Sequence, residues 1–312
     1  MIGVFARGAV RLFLIGPRRS AVARESDNIS MSKLGEFVLK RINPLFPKPV
    51  HPFNRRNEEG FTYADWQFEK GEDTIRYYLD RYTTDEMFRD KRVVDFGCGE
   101  GGKSVYYAAL GAREVIGVDV VPEYAPRAAA FAEKKGIDCF RFLLCDATHL
   151  PLESESIDTV IMNDFFEHVS DPEGALREAL RILKPGGRVF FNFPPYYHPF
   201  GAHLSDAIYV PWVHMFFSEQ TMINVYCDAV RDLPDGAERI ALRFSEGEDG
   251  RQHITYINKM TIKRFEGIIR RLGLTPEFCE ITPLRPFFSL LAKFRPLREP
   301  LNKMVTCVLK KA

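Results

Sequence analysis

The most informative absences in this sequence concern cysteine pairs, long apolar runs and net charge. The chain has six cysteines but no C-x-x-C spacing, which argues against a disulfide framework or a zinc site and favours a reducing, cytoplasmic location. No uninterrupted apolar run reaches the roughly 18 residues of a membrane-spanning helix. Lys and Arg total 43 against 42 for Asp and Glu, so the net charge favours neither nucleic acid nor an anionic membrane as partner.

The first 60 residues differ in composition from the rest. Residues 1–24 contain five arginines and no acid, which is typical of a transit peptide or a membrane-surface helix. We favour the alternatives, a tail without fixed structure or a segment upstream of a true start at Met31. Residues 31–42 predict a short amphipathic helix, and the prolines that follow predict a linker. We therefore expect an N-terminal extension and Pro-rich linker over residues 1–60 and one domain over 61–312.

The most distinctive stretch is RVVDFGCGEGGK, residues 92–103. A short apolar strand ends in Asp95, a glycine-rich turn follows, and a helix pattern starts near Lys103. Glycines let the backbone approach a ligand closely, and a helix N-terminus offers free N–H groups, so the stretch indicates a nucleotide-binding element. The spacing alone fits two cofactors. Gly97-x-Gly99-x-x-Gly102 matches a dinucleotide fingerprint, and Asp95-x-Gly97-x-Gly99-x-Gly101 matches S-adenosylmethionine (SAM) binding.

Strand and helix patterns alternate after this turn. Strands are predicted at 114–118, 139–144, 157–162 and 188–193, and helices at 103–110, 123–135 and 172–183. This order implies a mostly parallel sheet with helices on both faces, whose ligands bind at the carboxyl ends of the strands. An acid or amide at one strand end would indicate only a helix cap. Four successive strands end this way, which predicts a shared crevice lined by Asp95, Asp119, Asp146 and Asn163–Asp164.

These stretches resemble the successive motifs of the class I SAM-dependent methyltransferases, most closely the type 11-like branch that methylates small molecules. The resemblance rests on VVDFGCGEGG, GVDVVPEY, LLCDATHLPLESESIDTVIMNDFFEHV and ALREALRILKPGGRVFFNF, and it covers residues 90–193 with a weaker continuation at 261–310. It implies an α/β fold with a seven-stranded, mostly parallel Rossmann-like sheet and helices on both faces. The sheet would be closed by a helix at 261–272 and strands at 274–281 and 303–309, the last antiparallel.

The resemblance also decides between the two cofactors in favour of SAM. The methyltransferases carry an acid at the position of Asp95, where the dinucleotide fingerprint usually has an apolar residue. It implies that Asp119 accepts hydrogen bonds from both ribose hydroxyls and that Val120 packs on the adenine face. The implied cofactor-binding residues are Asp95, Gly97, Cys98, Gly99, Gly101, Asp119, Val120, Asp146, Ala147, Asn163 and Asp164. Within this set, Asp146 and the backbone of Ala147 would hold the adenine edge, and the last two would lie nearest the transferring methyl group.

Residues 194–260 form an aromatic-rich insertion after the fifth strand. Most of its aromatic side chains should pack in a small hydrophobic core. A long insertion at this place is nevertheless typical of a substrate lid. Together with the start of a helical stretch at 63–88, it predicts a pocket for an apolar or aromatic acceptor. The candidate substrate-binding residues are Tyr63, Trp66, Tyr196, Tyr197 and Trp212. The charged segment 229–252 predicts an exposed loop.

Three histidines are candidate general bases, since a neutral imidazole can accept a proton from a hydroxyl near neutral pH. They are His203, His198 and His168, and the alternative for each is a packed or capping histidine. We expect no metal. The spacings of His198, His203, His214 and Asp206 match no zinc signature.

The sequence thus predicts an enzyme that transfers a methyl group directly from SAM to a small, apolar or aromatic acceptor. The alternatives are an NAD(P)-dependent oxidoreductase on a similar sheet, a SAM-fold binding protein without turnover, and a methyltransferase of macromolecules. The expected partner is a small-molecule acceptor, with no nucleic acid and no transmembrane segment. Peripheral membrane contact stays open as an alternative for residues 1–24 only. The sequence leaves open the oligomeric state and which atom is methylated.

Overall fold

The computed structural model describes residues 21–49, residue 51 and residues 61–312, with side chains from residue 32 onward. The predictions for residues 1–20 and for most of the linker lie outside these ranges. Helix α1 (Ala21–Ile42) contains the predicted amphipathic helix, and a 3-10 turn at Asn43–Leu45 follows it because Pro44 cannot continue an α-helix. No helix in the described part of the chain is long and apolar enough to cross a membrane.

The stretch that predicted one helical segment over 63–88 forms three short helices instead, so that prediction was wrong. They are α2 (Tyr63–Glu69), α3 (Gly71–Ile75) and α4 (Thr84–Met87). Capping boxes at Thr62 and Thr83 start α2 and α4. Gly71 starts α3 where a Cβ would lie only 2.3 Å from the ring of Tyr106, so the chain approaches this ring as only glycine can.

The described residues form nine strands. They are β1 (Arg92–Phe96), β2 (Glu114–Asp119), β3 (Phe140–Leu144), β4 (Ile157–Asn163), β5 (Leu183–Phe193), β6 (Phe244–Glu246), β7 (Gln252–Ile254), β8 (Phe278–Pro283) and β9 (Asn302–Lys310). Seven of them form one sheet in the order β3-β2-β1-β4-β5-β9-β8. Strands β1 to β5 run parallel, and β9 is antiparallel to both of its neighbours. The predicted seven-stranded, mostly parallel sheet is confirmed.

Helices cover both faces of this sheet. The remaining ones are α5 (Gly102–Ala109), α6 (Tyr124–Lys134), α7 (Pro172–Ile182), α8 (Val213–Phe216), α9 (Glu219–Val230), α10 (Gly236–Arg243), α11 (Ile262–Arg271) and α12 (Arg295–Arg298). Successive strand residues belong to different buried clusters. Val93 and Phe190 pack with α5 on one face, and Val94 and Phe191 pack with α7 and α11 on the other. This alternation explains why the strands read as continuous apolar runs.

The insertion at 194–260 has a hydrophobic core of its own, which also contains Leu39 of α1. The predicted exposed loop at 229–252 was wrong, since this segment forms α10 and the β6–β7 hairpin. The prediction assumed that the charged side chains of this segment are exposed to solvent. Arg239 and Arg243 are buried because they pair with the buried carboxylate of Asp206 at 3.3 and 3.0 Å. Helix α1, expected in a separate extension, packs on the insertion through Lys40, which pairs with Asp228 at 2.6 Å.

Candidate active site

The glycine turn joins β1 to α5. Three of its glycines have positive φ, but their surroundings differ. A Cβ on Gly97 (φ 71°) would lie 2.6 Å from Phe165, and one on Gly101 (φ 79°) would lie 2.8 Å from the Cβ of Ala128. Both glycines are therefore required by packing as well as by φ. Gly99 (φ 55°) faces α2, where its nearest neighbour is the Gln67 amide at 3.3 Å. Of the three, Gly99 therefore has the most space around the position of a Cβ, although its backbone is also left-handed.

Asp119 lies opposite this turn at the carboxyl end of β2. Its Oδ2 accepts the Gly99 N–H at 2.9 Å, and its Oδ1 accepts the Val121 N–H at 3.1 Å. Burial raises the pKa of Asp119, and these backbone hydrogen bonds oppose the rise. An ionised carboxylate has about four acceptor sites, so both oxygens retain capacity for a ligand diol. Val120 beside it is 64% exposed, which leaves an apolar surface next to the carboxylate.

The acids at the ends of β1 and β3 have different surroundings. Asp95 is buried and accepts the Ser104 hydroxyl at 2.6 Å, and burial raises its pKa to about 6. Asp146 is exposed and accepts both the amide and the hydroxyl of Thr148 at 2.8 Å, which holds its pKa below the ordinary value. Ala147 next to it is buried. Asp95 is therefore held inside the fold, whereas Asp146 caps a turn at the crevice edge.

Cys98, also predicted near the cofactor, has a buried side chain that packs against Gly117. A Cβ on Gly117 would lie 2.8 Å from its Sγ. Burial raises the pKa of the Cys98 thiol, so it stays a neutral packing group. Its backbone, whose N–H donates to the Val118 carbonyl at 3.1 Å, is what it contributes to the turn.

The side chain of Asn163 lies in a buried hydrogen-bond network. Its Oδ1 accepts from the Tyr78 hydroxyl at 2.6 Å and from the Asn192 amide at 2.9 Å, and its Nδ2 donates to the Tyr107 hydroxyl at 3.4 Å. The network joins the ends of β4 and β5 to helix α5 and to the segment after α3. The amide of Asn163 therefore links these elements to one another within the fold.

Asp164 follows with an unusual backbone and a strong ion pair. Its φ is 52°, a left-handed conformation that is rare outside glycine and clusters at functional sites. Its carboxylate accepts from the Lys103 ammonium at 2.7 Å. Burial lowers the pKa of Lys103, but Asp164, Tyr107 and Asp95 together raise it, and the pKa is raised overall. Lys103 was not predicted, because its partner is distant in the sequence.

A cavity of about 230 Å³ opens between α2–α3 and the ends of β4 and β5. It is lined by Trp66, Lys70, Asp73, Thr74, Tyr77, Asp164, Asn192 and Met304. The indole Nε1 of Trp66 is buried and has no hydrogen-bond partner among the described residues. Buried polar groups are nearly always paired. Trp66 contributes its aromatic ring to the cavity lining.

The predicted acceptor residues separate into two groups. Tyr63 stacks on Trp66 with ring centroids 5.9 Å apart, and burial raises its pKa. Tyr196 instead packs on His214 at 4.7 Å, with Tyr197 beside it, inside the insertion. Trp212 donates its indole N–H to the Pro300 carbonyl at 3.2 Å. None of these last three lines the cavity.

The histidines are also separated by the fold. His168 and His203 meet edge to face at 4.9 Å, and Tyr256 lies 4.3 Å from His168. His198 accepts the Phe200 N–H at 3.2 Å in a local turn. Burial lowers the pKa of all three histidines, that of His198 to about 4. The set considered for metal binding is not assembled, because Asp206 pairs with two arginines and His214 packs on Tyr196.

Glu167 and Tyr256 are site residues that the sequence analysis missed. Glu167 is buried, and neither carboxylate oxygen has a hydrogen-bond partner among the described residues. Burial raises its pKa well above the ordinary value. Its one sequence signal is that it immediately precedes His168. Tyr256 had no signal, since it lies in the insertion and reaches His168 only through the fold.

Comparisons with known proteins agree with this geometry. A family described as a methyltransferase domain matches residues 94–191. Demethylmenaquinone methyltransferase of Thermus thermophilus is 36% identical over 152 residues, which cover 47% of this chain and 66% of that protein. Ubiquinone biosynthesis O-methyltransferase of Cereibacter sphaeroides is 39% identical over 100 residues, covering 32% of this chain and 40% of that protein. The aligned part thus spans less than two thirds of these relatives.

Among solved structures, geranyl diphosphate C-methyltransferase of Streptomyces coelicolor has a TM-score of 0.50 to this chain at 15% identity. The alignment covers 86% of this chain and 90% of that one, and that structure is a complex with Mg²⁺, geranyl diphosphate and S-adenosyl-L-homocysteine. At this identity the likeness shows the fold alone.

Proposed function

Because the chain belongs to the class I SAM-dependent methyltransferases through its domain at residues 94–191, we propose that it moves a methyl group from SAM to a small apolar or aromatic acceptor. The observation that carries the proposal is Asp119. Backbone N–H groups orient both of its oxygens, and each oxygen can still accept a hydroxyl. SAM is the cofactor of this family, and its ribose presents two adjacent hydroxyls.

The residues of the crevice fit SAM. Asp119 would hold the ribose, exposed Val120 would pack on the adenine, and Asp146 with the backbone of Ala147 would contact the adenine edge. Because Gly99 has no side chain, the methionine end of SAM could approach the backbone of the turn closely. Asp164 would lie nearest the methyl group. When bound, SAM supplies an electrophilic sulfonium methyl group. The chain itself has to orient the acceptor and exclude water, and orientation alone contributes about 7–11 kcal/mol in favourable cases.

The cavity beside Asp164 supports an aromatic acceptor. Trp66 and Tyr77 give it aromatic walls against which an aromatic ring could stack. Relatives named for demethylmenaquinone, ubiquinone biosynthesis and tocopherol support an acceptor of this kind. Tyr63, stacked on Trp66, would cover the bound ligands from α2.

The general base remains a proposal among His203, His168 and His198. Burial lowers the pKa of each histidine, which makes each a weak acceptor of a hydroxyl proton. His203 and His168 are better placed than His198, because they meet where the insertion contacts the loop after β4. An amine acceptor would need no base, since it need only arrive neutral.

We also propose that residues 61–312 form the catalytic domain and that 194–260 act as its substrate lid. The insertion has its own core, and it reaches the crevice through His203 and Tyr256. The six cysteines are unpaired, which supports a cytoplasmic location.

Calorimetry with S-adenosylhomocysteine and NAD tests the cofactor assignment. We expect the protein to bind the first and not the second, and we expect Asp119→Ala to bind it roughly 10- to 150-fold more weakly, since a hydrogen bond to a charged group contributes about 1.5–3 kcal/mol. Asp138→Ala is the matched control, because Asp138 is an exposed acid before β3, at the opposite edge of the sheet.

Three results would contradict the proposal. Binding of NAD alone would favour the oxidoreductase, and equal affinity of the Asp119→Ala variant would remove the ribose assignment. Binding of S-adenosylhomocysteine with no methylation of any phenol, quinol or amine in a radiolabelled-methyl assay would favour a binding protein without turnover.

A further inference from the structure

Three side chains near the crevice form a compact group: Glu167 and two of the candidate general bases, His168 and His203. One ligand atom from each of Glu167, His168 and His203 lies within 4.8 Å of the others. The Nε2 of His168 is 3.8 Å from the Oε1 of Glu167. We propose that these three residues bind a divalent transition-metal ion, contrary to the sequence-based expectation of no metal.

The carboxylate of Glu167 provides the first independent support. It is 3% exposed, and both of its oxygens lack a hydrogen-bond partner within the described ranges. A buried carboxyl group without a partner is costly, and such groups in native structures usually have an unseen water or ion. A cation between Glu167 and the two imidazoles would satisfy these oxygens.

The orientation of His168 provides the second support. Its Nδ1 lies 2.8 Å from the carbonyl oxygen of Tyr256. A carbonyl only accepts, so Nδ1 carries the proton and Nε2, the atom near Glu167, has the free lone pair. Metal-ligating histidines almost always donate their other N–H to a carboxylate, carbonyl or water in this way.

His203 is held in place by backbone features. Its φ is 54°, which strains a non-glycine residue, and its carbonyl accepts from the buried Arg243 guanidinium at 3.2 Å. Strain of this kind persists only where the surroundings impose the conformation. The insertion therefore presents this imidazole to the loop after β4 in one fixed position.

The donor set indicates the class of ion. Two imidazoles and one carboxylate suit Zn²⁺, Co²⁺, Fe²⁺ or Mn²⁺ better than Mg²⁺ or Ca²⁺, which prefer oxygen ligands. Tetrahedral zinc places its ligand atoms about 3.3 Å apart, so the ligand atoms, which lie within 4.8 Å of one another, would have to approach by up to about 1.5 Å. Three protein ligands leave one position open, as in catalytic zinc sites.

The open position gives the ion a role that rests on the proposed function. Asp164, which lines the acceptor cavity, precedes Glu167 by only three residues in the segment after β4. An acceptor hydroxyl bound to the ion would release its proton to solvent more readily than a free hydroxyl does. The ion would thus help to deprotonate the acceptor hydroxyl, a step for which buried, weakly basic histidines are poorly suited.

The site is tested first without any turnover. Chelator-treated full-length protein is titrated with Co²⁺, followed by visible absorption, and with Zn²⁺, followed by equilibrium dialysis. We expect about one ion per chain, and we expect Glu167→Gln and His203→Ala to bind at least 10-fold more weakly, since even outer partners of metal ligands contribute about 10–100-fold to affinity. His253→Ala is the control, because His253 also lies beside a carboxylate, that of Asp249 at 2.9 Å, but its side chain is 42% exposed and lies outside the group.

Absence of a bound ion in the wild type, or equal affinity in Glu167→Gln and the control, would overturn the proposal. Glu167→Gln preserves the side-chain shape, and His203→Ala leaves the carboxylate in place, so one variant remains informative if the other fails to fold. Calorimetry with S-adenosylhomocysteine on the same samples separates the two hypotheses. Lost metal affinity with retained nucleoside binding supports the metal site, whereas metal binding without nucleoside binding would refute only the proposed function.

Discussion

Replacement of Asp95 by Asn tests the electrostatics of the glycine turn. Asp95 is 3% exposed and accepts the Ser104 hydroxyl at 2.6 Å, and burial raises its pKa to about 6. The substitution keeps the shape and an oxygen acceptor for Ser104 but removes the ionisable group. We expect the variant without ligand to gain stability relative to the wild type as the pH rises.

The size of this effect follows from linkage between protonation and folding. The ordinary pKa of this group is 3.8. Between pH 3.8 and about 6 the folded protein binds more protons than the unfolded chain, so this carboxyl lowers the free energy of unfolding as pH increases. The slope is about 1.4 kcal/mol per pH unit, which amounts to about 3 kcal/mol over the window. Below pH 3.8 the contribution vanishes, and above pH 6 it is constant.

Urea unfolding at about pH 4, 5, 6 and 7 measures the difference. We expect the free energy of unfolding of Asp95→Asn minus that of the wild type to grow by about 3 kcal/mol across the series. The control is Asp138→Asn, which makes the same chemical change at an exposed acid away from the glycine turn. Parallel curves for Asp95→Asn and the wild type would refute the assignment of Asp95 as a buried acid with a raised pKa.

Two further predictions concern the core of the insertion and the glycine turn. Asp206→Asn should lower the free energy of unfolding by about 3–5 kcal/mol, because the buried Arg243 loses the carboxylate at 3.0 Å and Arg239 is left with that of Asp235; a loss under about 1 kcal/mol in urea unfolding would contradict this. Gly97→Ala should cost about 1–3 kcal/mol more than Gly136→Ala, since both have positive φ but only Gly97 would place its Cβ 2.6 Å from a ring. Equal melting temperatures of the two glycine variants would contradict this, because they would show that the turn shifts to make space for the added methyl group.

Much of the fold was predictable because its signals are local. A parallel strand buried on both faces is a short apolar run, and β1, β2, β4 and β5 were recognised in this way. The errors have local causes too. The single helical segment at 63–88 was predicted from apolar spacing, which carries no information on the capping boxes at Thr62 and Thr83. The segment 229–252 was predicted as exposed because its charges were taken to be solvated.

In the candidate site, too, residues with a local sequence signal were predicted and residues that depend on distant partners were missed. Asp119 was predicted because an acid at the end of a strand and a glycine turn at the end of its neighbour must meet at one edge of a parallel sheet. Lys103 was missed because it matters only through Asp164, and Trp66 was included without any indication that its indole N–H would be unpaired.

By itself, the sequence determined the order of strands and helices, the glycine turn and the acids at the strand ends. These depend on backbone preferences and side-chain alternation within a few residues. Only the tertiary structure decided that Arg243 is buried against Asp206, that Asn163 is held in a network, and that His203 meets Glu167 and His168. Burial and partner choice are set by distances through space between residues far apart in the chain, and those distances exist only once the insertion has packed against the sheet.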